Sequence, residues 1–194
     1  MIATASAGAS VWIGPFAAAS GLLAGAGALK AARPHATARA LKDMGLPGRL
    51  SLVAGLVRVG GAAEAVVGGA ALLAGASALR LLAITVAASY VGFAAVVAFA
   101  LAKGTAVSSC GCFGATDTPP TVAHVVVDVG AALTAVAVAM GPGGGLPGVL
   151  ARQPLAGIPL VLLLVVACYL AWLALTALPR AGARAVTALG GRRP

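Results

Sequence analysis

Acidic side chains are scarce in this sequence, four Asp or Glu among 194 residues against thirteen Lys or Arg, and charged residues of both signs make up only 9% of the chain. Soluble domains carry about a quarter of their residues charged. With 61% apolar residues and a mean hydropathy of +1.06, this chain has too few polar groups to cover a core in water. That excludes a water-soluble enzyme and makes a bilayer the solvent. Aromatic residues are also few, at 4%. The apolar runs are built mainly from Ala, Gly, Val and Leu, so their helices are expected to be thin and to pack backbone to backbone. Compositional bias would give the same Ala and Gly content, and no function is drawn from it. No quinone or flavin motif is visible, so no cofactor is assigned. The net charge of +9 lies almost wholly between and after the apolar runs. Such a distribution suits an anionic lipid surface and argues against a nucleic-acid partner.

Five apolar runs are each long enough to cross a hydrocarbon core of about 30 Å at 1.5 Å per residue. They are Val11 to Ala32, Leu50 to Leu73, Leu79 to Leu101, Thr121 to Met140 and Leu155 to Leu178. Helix breakers separate them: Arg33-Pro34, Gly45 to Gly48, Gly75 to Ala78, Pro119-Pro120, and the glycine-proline run from Gly141 to Pro147. The expected fold is therefore an all-α, polytopic membrane bundle of about five transmembrane helices. Residues 1–179 form one domain, and a basic tail at 180–194 is expected to be unstructured. Residues 1–10 carry no Lys or Arg, so the first segment reads as a retained helix and not as a signal peptide. Between the first two spans, Ala36 to Met44 reads as a short amphipathic helix in the headgroup layer, with Ala40, Leu41 and Met44 on one side and Arg39, Lys42 and Asp43 on another. A solvated basic loop is the alternative.

Five crossings put the first loop, the third loop and the C-terminal tail on one side. That side holds ten basic residues: Lys30, Arg33, Arg39, Lys42, Arg49, Lys103, Arg180, Arg184, Arg192 and Arg193. The other side holds Arg80 and Arg152. The positive-inside rule makes the rich side cytoplasmic.

Two of the three cysteines fall in the third loop, within Ser108-Ser109-Cys110-Gly111-Cys112-Phe113-Gly114. A disulfide needs its α-carbons about 4.4 to 6.8 Å apart, which a bent tripeptide reaches, and Gly111 permits the backbone angles. So small a ring would be strained, and a strained disulfide exchanges readily. Two reduced thiols in a tight turn, or a thiolate pair for a metal, are the other readings. The two histidines, His35 and His124, lack zinc-finger spacing to the pair, and no metal site is assigned.

Three ionisable residues fall well inside expected spans, more than a turn from either end: Arg58, Glu64 and Asp128. Each is costly in hydrocarbon and is expected to face the bundle interior with a partner, either as a structural brace or as part of a functional site. Arg58 lies eight residues after Leu50 and Asp128 seven after Thr121. At 1.5 Å per residue both sit roughly 11 to 12 Å below the loop surface, which predicts an Arg58 to Asp128 ion pair with Glu64 about 9 Å deeper. His124 stands one turn before Asp128, so a hydrogen bond between them is expected, and His124 is a candidate to move a thiol proton. A histidine resting at the wet interface is the plain alternative. Cys168, mid-span in the fifth helix, reads as a small packing residue.

These residues resemble the methylamine-utilisation protein MauE family, within the wider DoxX-like group of small membrane bundles. The resemblance rests on Ala24 to Lys30 closing the first helix, Arg58 with Gly61 and Glu64 in the second, Gly104, and the string Cys110 to Gly114. It covers about residues 10 to 140. It implies a four-helix core plus one helix, and a membrane factor that forms or isomerises disulfides in a client subunit with a thioredoxin-like partner. Cys110 and Cys112 would be the exchanging pair and His124 their proton acceptor. Exported clients would require the cysteine loop outside the cytoplasm, opposite to the side the charges favour. A non-catalytic scaffold and a thiolate metal carrier are the competing functions.

Overall fold

The computed structural model describes residues 2–103, 121–141 and 144–190. Among the described residues, seven α-helices run in chain order: α1 (Ile2–Ala32), α2 (Pro34–Asp43), α3 (Leu50–Leu73), α4 (Ala76–Ala102), α5 (Val122–Met140), α6 (Leu146–Leu150) and α7 (Ile158–Gly190). A single 3-10 turn, Pro154–Gly157, leads into α7. Five of them are long and apolar enough to cross a membrane: Val11–Ala32, Leu50–Leu73, Ala76–Ala102, Val122–Met140 and Ile158–Ala177. These fall within three residues of the five expected spans at every boundary. The chain is thus an all-α, multi-pass membrane bundle.

The core is a ring of four helices in which α1 packs on α3 and α5, while α4 packs on α3 and α5. The short connection at residues 74–75 sets α3 and α4 antiparallel and adjacent, α5 packs on α4, and α1 closes the ring. At its centre Phe16 and Leu23 of α1, Val86 and Tyr90 of α4, and Ala132 and Ala135 of α5 are buried together. Outward positions such as Leu52, Leu56, Val66, Leu81, Val91, Val126 and Leu133 are apolar and exposed, as lipid-facing residues should be. The fifth spanning helix, α7, packs on α1 at the edge of the ring and leaves Leu162, Leu163, Val166 and Leu170 uncovered.

The amphipathic segment expected between the first two spans is α2. Ala40 is buried and Leu41 and Met44 are half-buried, while Arg39 and Asp43 are exposed, as the pattern requires. Ala38 packs on Val53 and Ala54 of α3, and Ala40 on Ala100 of α4. Glycines at positive φ, Gly45 and Gly48, turn the chain from α2 into α3. At the other end of the molecule, α7 continues past the expected span end at Leu178 to Gly190, through residues expected to be unstructured. Ala and Arg make up half of residues 179–190, and both favour helix.

Candidate functional site: a charged cluster within the bundle

The site begins with glycines. A side chain on Gly27 of α1 would strike the backbone of Gly61 and Ala65 and the Cβ of Glu64, at 2.5 to 2.9 Å. Reciprocally, one on Gly61 of α3 would strike Ala31, Gly27 and the Cβ of Lys30, at 2.8 to 2.9 Å. Gly68 lies equally close to Ser20 and Ala24. The two antiparallel backbones therefore touch along a small-residue seam, as membrane helices do where nothing larger than hydrogen intervenes. Two of these glycines are followed three residues later, on the same face, by a charge: Gly27 by Lys30 and Gly61 by Glu64. The seam brings those charges together as an ion pair, with the Lys30 side chain 8% and the Glu64 side chain 20% exposed. The Lys30 ammonium also lies over the Phe93 ring of α4, 4.2 Å from its centroid, where the ring quadrupole favours a cation.

Lys30 stands between two cavities. The first lies among α1, α4, α5 and α7 and is bounded by Lys30, Tyr90, Phe93, His124, Asp128 and Leu175. The second lies among α1, α2, α3 and α4, bounded by Lys30, Leu41, Met44, Gly60, Glu64 and Phe93. Tyr90 donates its hydroxyl to the Ala19 carbonyl at 2.7 Å, tying α4 to α1 across the ring, and meets Phe93 edge to face at 5.8 Å. One buried cation thus borders both cavities, paired with Glu64 in the second and lining the first together with Asp128.

This arrangement corrects the pairing expected from depth alone. Arg58 and Asp128 form no ion pair: Arg58 is exposed, roughly 120° around α3 from Glu64, off the stripe that faces α1. Equal depth does not suffice, because α3 and α5 occupy opposite corners of the ring. Glu64 does have a partner, and it is Lys30. His124 is 4% exposed, and among the described residues no hydrogen bond joins it to Asp128. Its Nδ1 pairs with the Thr121 hydroxyl at 2.8 Å, at the start of α5. Cys168 of α7 is half-buried, donates its thiol to the Ala18 carbonyl at 3.4 Å, and packs where Gly21 leaves room. Cys110 and Cys112 lie outside the described residues.

Lys30 is the residue that depth and charge counting overlook. It closes an apolar run, where a lysine passes for a loop charge. Its signal is the pair of matched spacings, Gly-x-x-Lys on α1 and Gly-x-x-Glu on α3, which place one small and one charged residue on each interacting face. With Lys30 counted inside the bundle, the basic residues of the loop side fall from ten to nine, still against two.

The family model of methylamine utilisation protein MauE matches residues 8–142. No curated protein and no solved structure matches the chain. The matched stretch takes in the whole four-helix ring, both halves of the Lys30–Glu64 seam and the Cys-Gly-Cys string, and stops short of α7. By that match, over more than two thirds of its length, this multi-pass membrane protein belongs to the MauE family.

Proposed function

We propose that the protein is a membrane thiol-disulfide exchange factor for a partner protein, with Cys110 and Cys112 as the exchanging pair. The observation that carries this reading is the buried His124 at the start of α5, the helix that follows them in the chain. Its ring is bonded to the Thr121 hydroxyl, and it borders the cavity that holds Asp128 and Lys30. Eight residues separate Cys112 from Thr121 in sequence, a length of chain that lets the thiols and the imidazole meet. Thiolate is the attacking species in exchange, so a nearby group that accepts a proton favours it.

In the forward direction a thiolate of the partner attacks one sulfur of an oxidised Cys110–Cys112 bond, giving a mixed disulfide and a free thiolate on the pair. The partner's second thiolate then attacks the mixed disulfide. The partner leaves oxidised and the pair is left as a dithiol, two electrons having passed to it. A thioredoxin-like protein or a disulfide-bearing client of the methylamine dehydrogenase type suits this chemistry, and the family description is in keeping with such a client.

The test is trapping. In a Cys112→Ser variant, Cys110 attacks a partner disulfide but has no neighbour to resolve the adduct, so a mixed disulfide should accumulate and vanish on reduction. A Cys110→Ser, Cys112→Ser double variant should give none. Full biological activity in both variants with no adduct in either would rule the exchange mechanism out.

A further inference from the structure

We propose that Asp128 is a proton-binding site inside the bundle, and that Lys30 is a switchable counter-ion shared between Asp128 and Glu64. Three ionisable groups decide the matter: one ammonium and two carboxylates, on α1, α3 and α5. Lys30 is paired with Glu64 and borders the same cavity as Asp128. Among the described residues that line that cavity, no other carries a fixed positive charge. Helix α4 presents Tyr90, committed to the Ala19 carbonyl, and Phe93; α7 presents Leu175; α5 itself presents His124, bonded to Thr121. Arg58 is exposed on another face of α3.

A single cation cannot neutralise two carboxylates, and an unpaired carboxylate in an apolar bundle takes up a proton in preference to remaining charged. The cluster therefore carries one ion pair and one carboxylic acid. Two arrangements satisfy that count. Either Lys30 pairs with Glu64 while Asp128 holds the proton, as the observed ion pair has it, or Lys30 pairs with Asp128 while Glu64 holds the proton. Passage between them breaks the O–H bond of Asp128 and forms one on Glu64, and the ammonium moves the opposite way, so net charge is unchanged. Because Lys30 borders both cavities, the exchange takes a proton from the α5 and α7 side of the bundle and leaves it on the α2 and α3 side. This site requires none of the thiol chemistry proposed above.

Infrared spectroscopy of the full-length protein in lipid nanodiscs at neutral pH tests it directly, through the carbonyl stretch of protonated carboxylic acids and its shift in D2O. The wild type should show one buried protonated carboxyl. Asp128→Asn should abolish it. Glu64→Gln should abolish it as well, although Asp128 is intact, because Lys30 then passes to Asp128 and ionises it. Lys30→Met should show two. Circular dichroism verifies folding, and should Lys30→Met fail to fold, the two near-isosteric amide variants decide alone. No band in the wild type, a band that survives Asp128→Asn, or one unchanged by Glu64→Gln would overturn the proposal.

Discussion

Lys30 has its ammonium group in a place where bulk water does not reach, and its neighbours make that tolerable: a carboxylate from α3 and the face of Phe93 from α4. Removing one member of a buried ion pair exposes the cost of the other. Lys30→Met should destabilise the fold by about 3–5 kcal/mol, since Glu64 is left without a counter-charge, whereas Lys30→Met combined with Glu64→Gln should recover most of that loss. Unfolding in detergent, measured for both singles and the double, gives the coupling. Arg58→Gln, at an exposed position, should stay within about 0.5 kcal/mol of wild type. The contrast between Lys30 and Arg58 also shows what the sequence could tell. Both are cations in apolar surroundings, and Arg58, further inside its run, looks the more buried. Which of them is inside depends on the face each presents and on which helix lies opposite, and neither can be computed from depth.

At the scale of helices, hydropathy is enough to find the spans because a bilayer sets both their length and their composition, and the short α2 was legible from its two-sided pattern. Pairing was not legible, because α1 offers several Ala and Gly positions that look alike in sequence. The backbone separates them. Gly61 lies in the seam with Gly27, whereas neighbouring Gly60 has nothing within 4 Å of where a Cβ would stand. Gly61→Ala should therefore cost about 1–3 kcal/mol, the usual penalty for forcing a group into filled space against backbone atoms that cannot turn away. Gly60→Ala should be neutral or slightly stabilising, since Ala is the better helix former. Thermal melts of the two variants provide the comparison. Because the Gly61 seam sets how far apart α1 and α3 lie, Gly61→Ala should also loosen the Lys30–Glu64 pair and so disturb the carboxyl signal that Gly60→Ala leaves alone.

Across the whole molecule, the ring of α1, α3, α4 and α5 accounts for the family match, and α7 is an addition on α1 that contributes Leu175 to the inner cavity. What the ring leaves to be decided is which way it stands in the membrane, and charge answers this more directly than shape. Moving Lys30 into the core leaves nine basic residues on the side of the cysteine loop and two on the other, a bias that still directs that loop to the cytoplasm. Disulfide formation in an exported client pulls the other way, since stable disulfides belong to oxidising compartments. A membrane-impermeant maleimide applied to intact cells distinguishes the two, in a Cys168→Ala background so that only Cys110 and Cys112 can react. The charge distribution predicts labelling only after lysis, which would place exchange with a cytoplasmic partner. Labelling of intact cells that appears only after reduction would instead put an oxidised pair outside. In that case the basic first loop, with Arg33, Arg39, Lys42 and Arg49 beside α2, must be held at the outer surface by the packing of α2 on α3 and α4, in defiance of the charge rule.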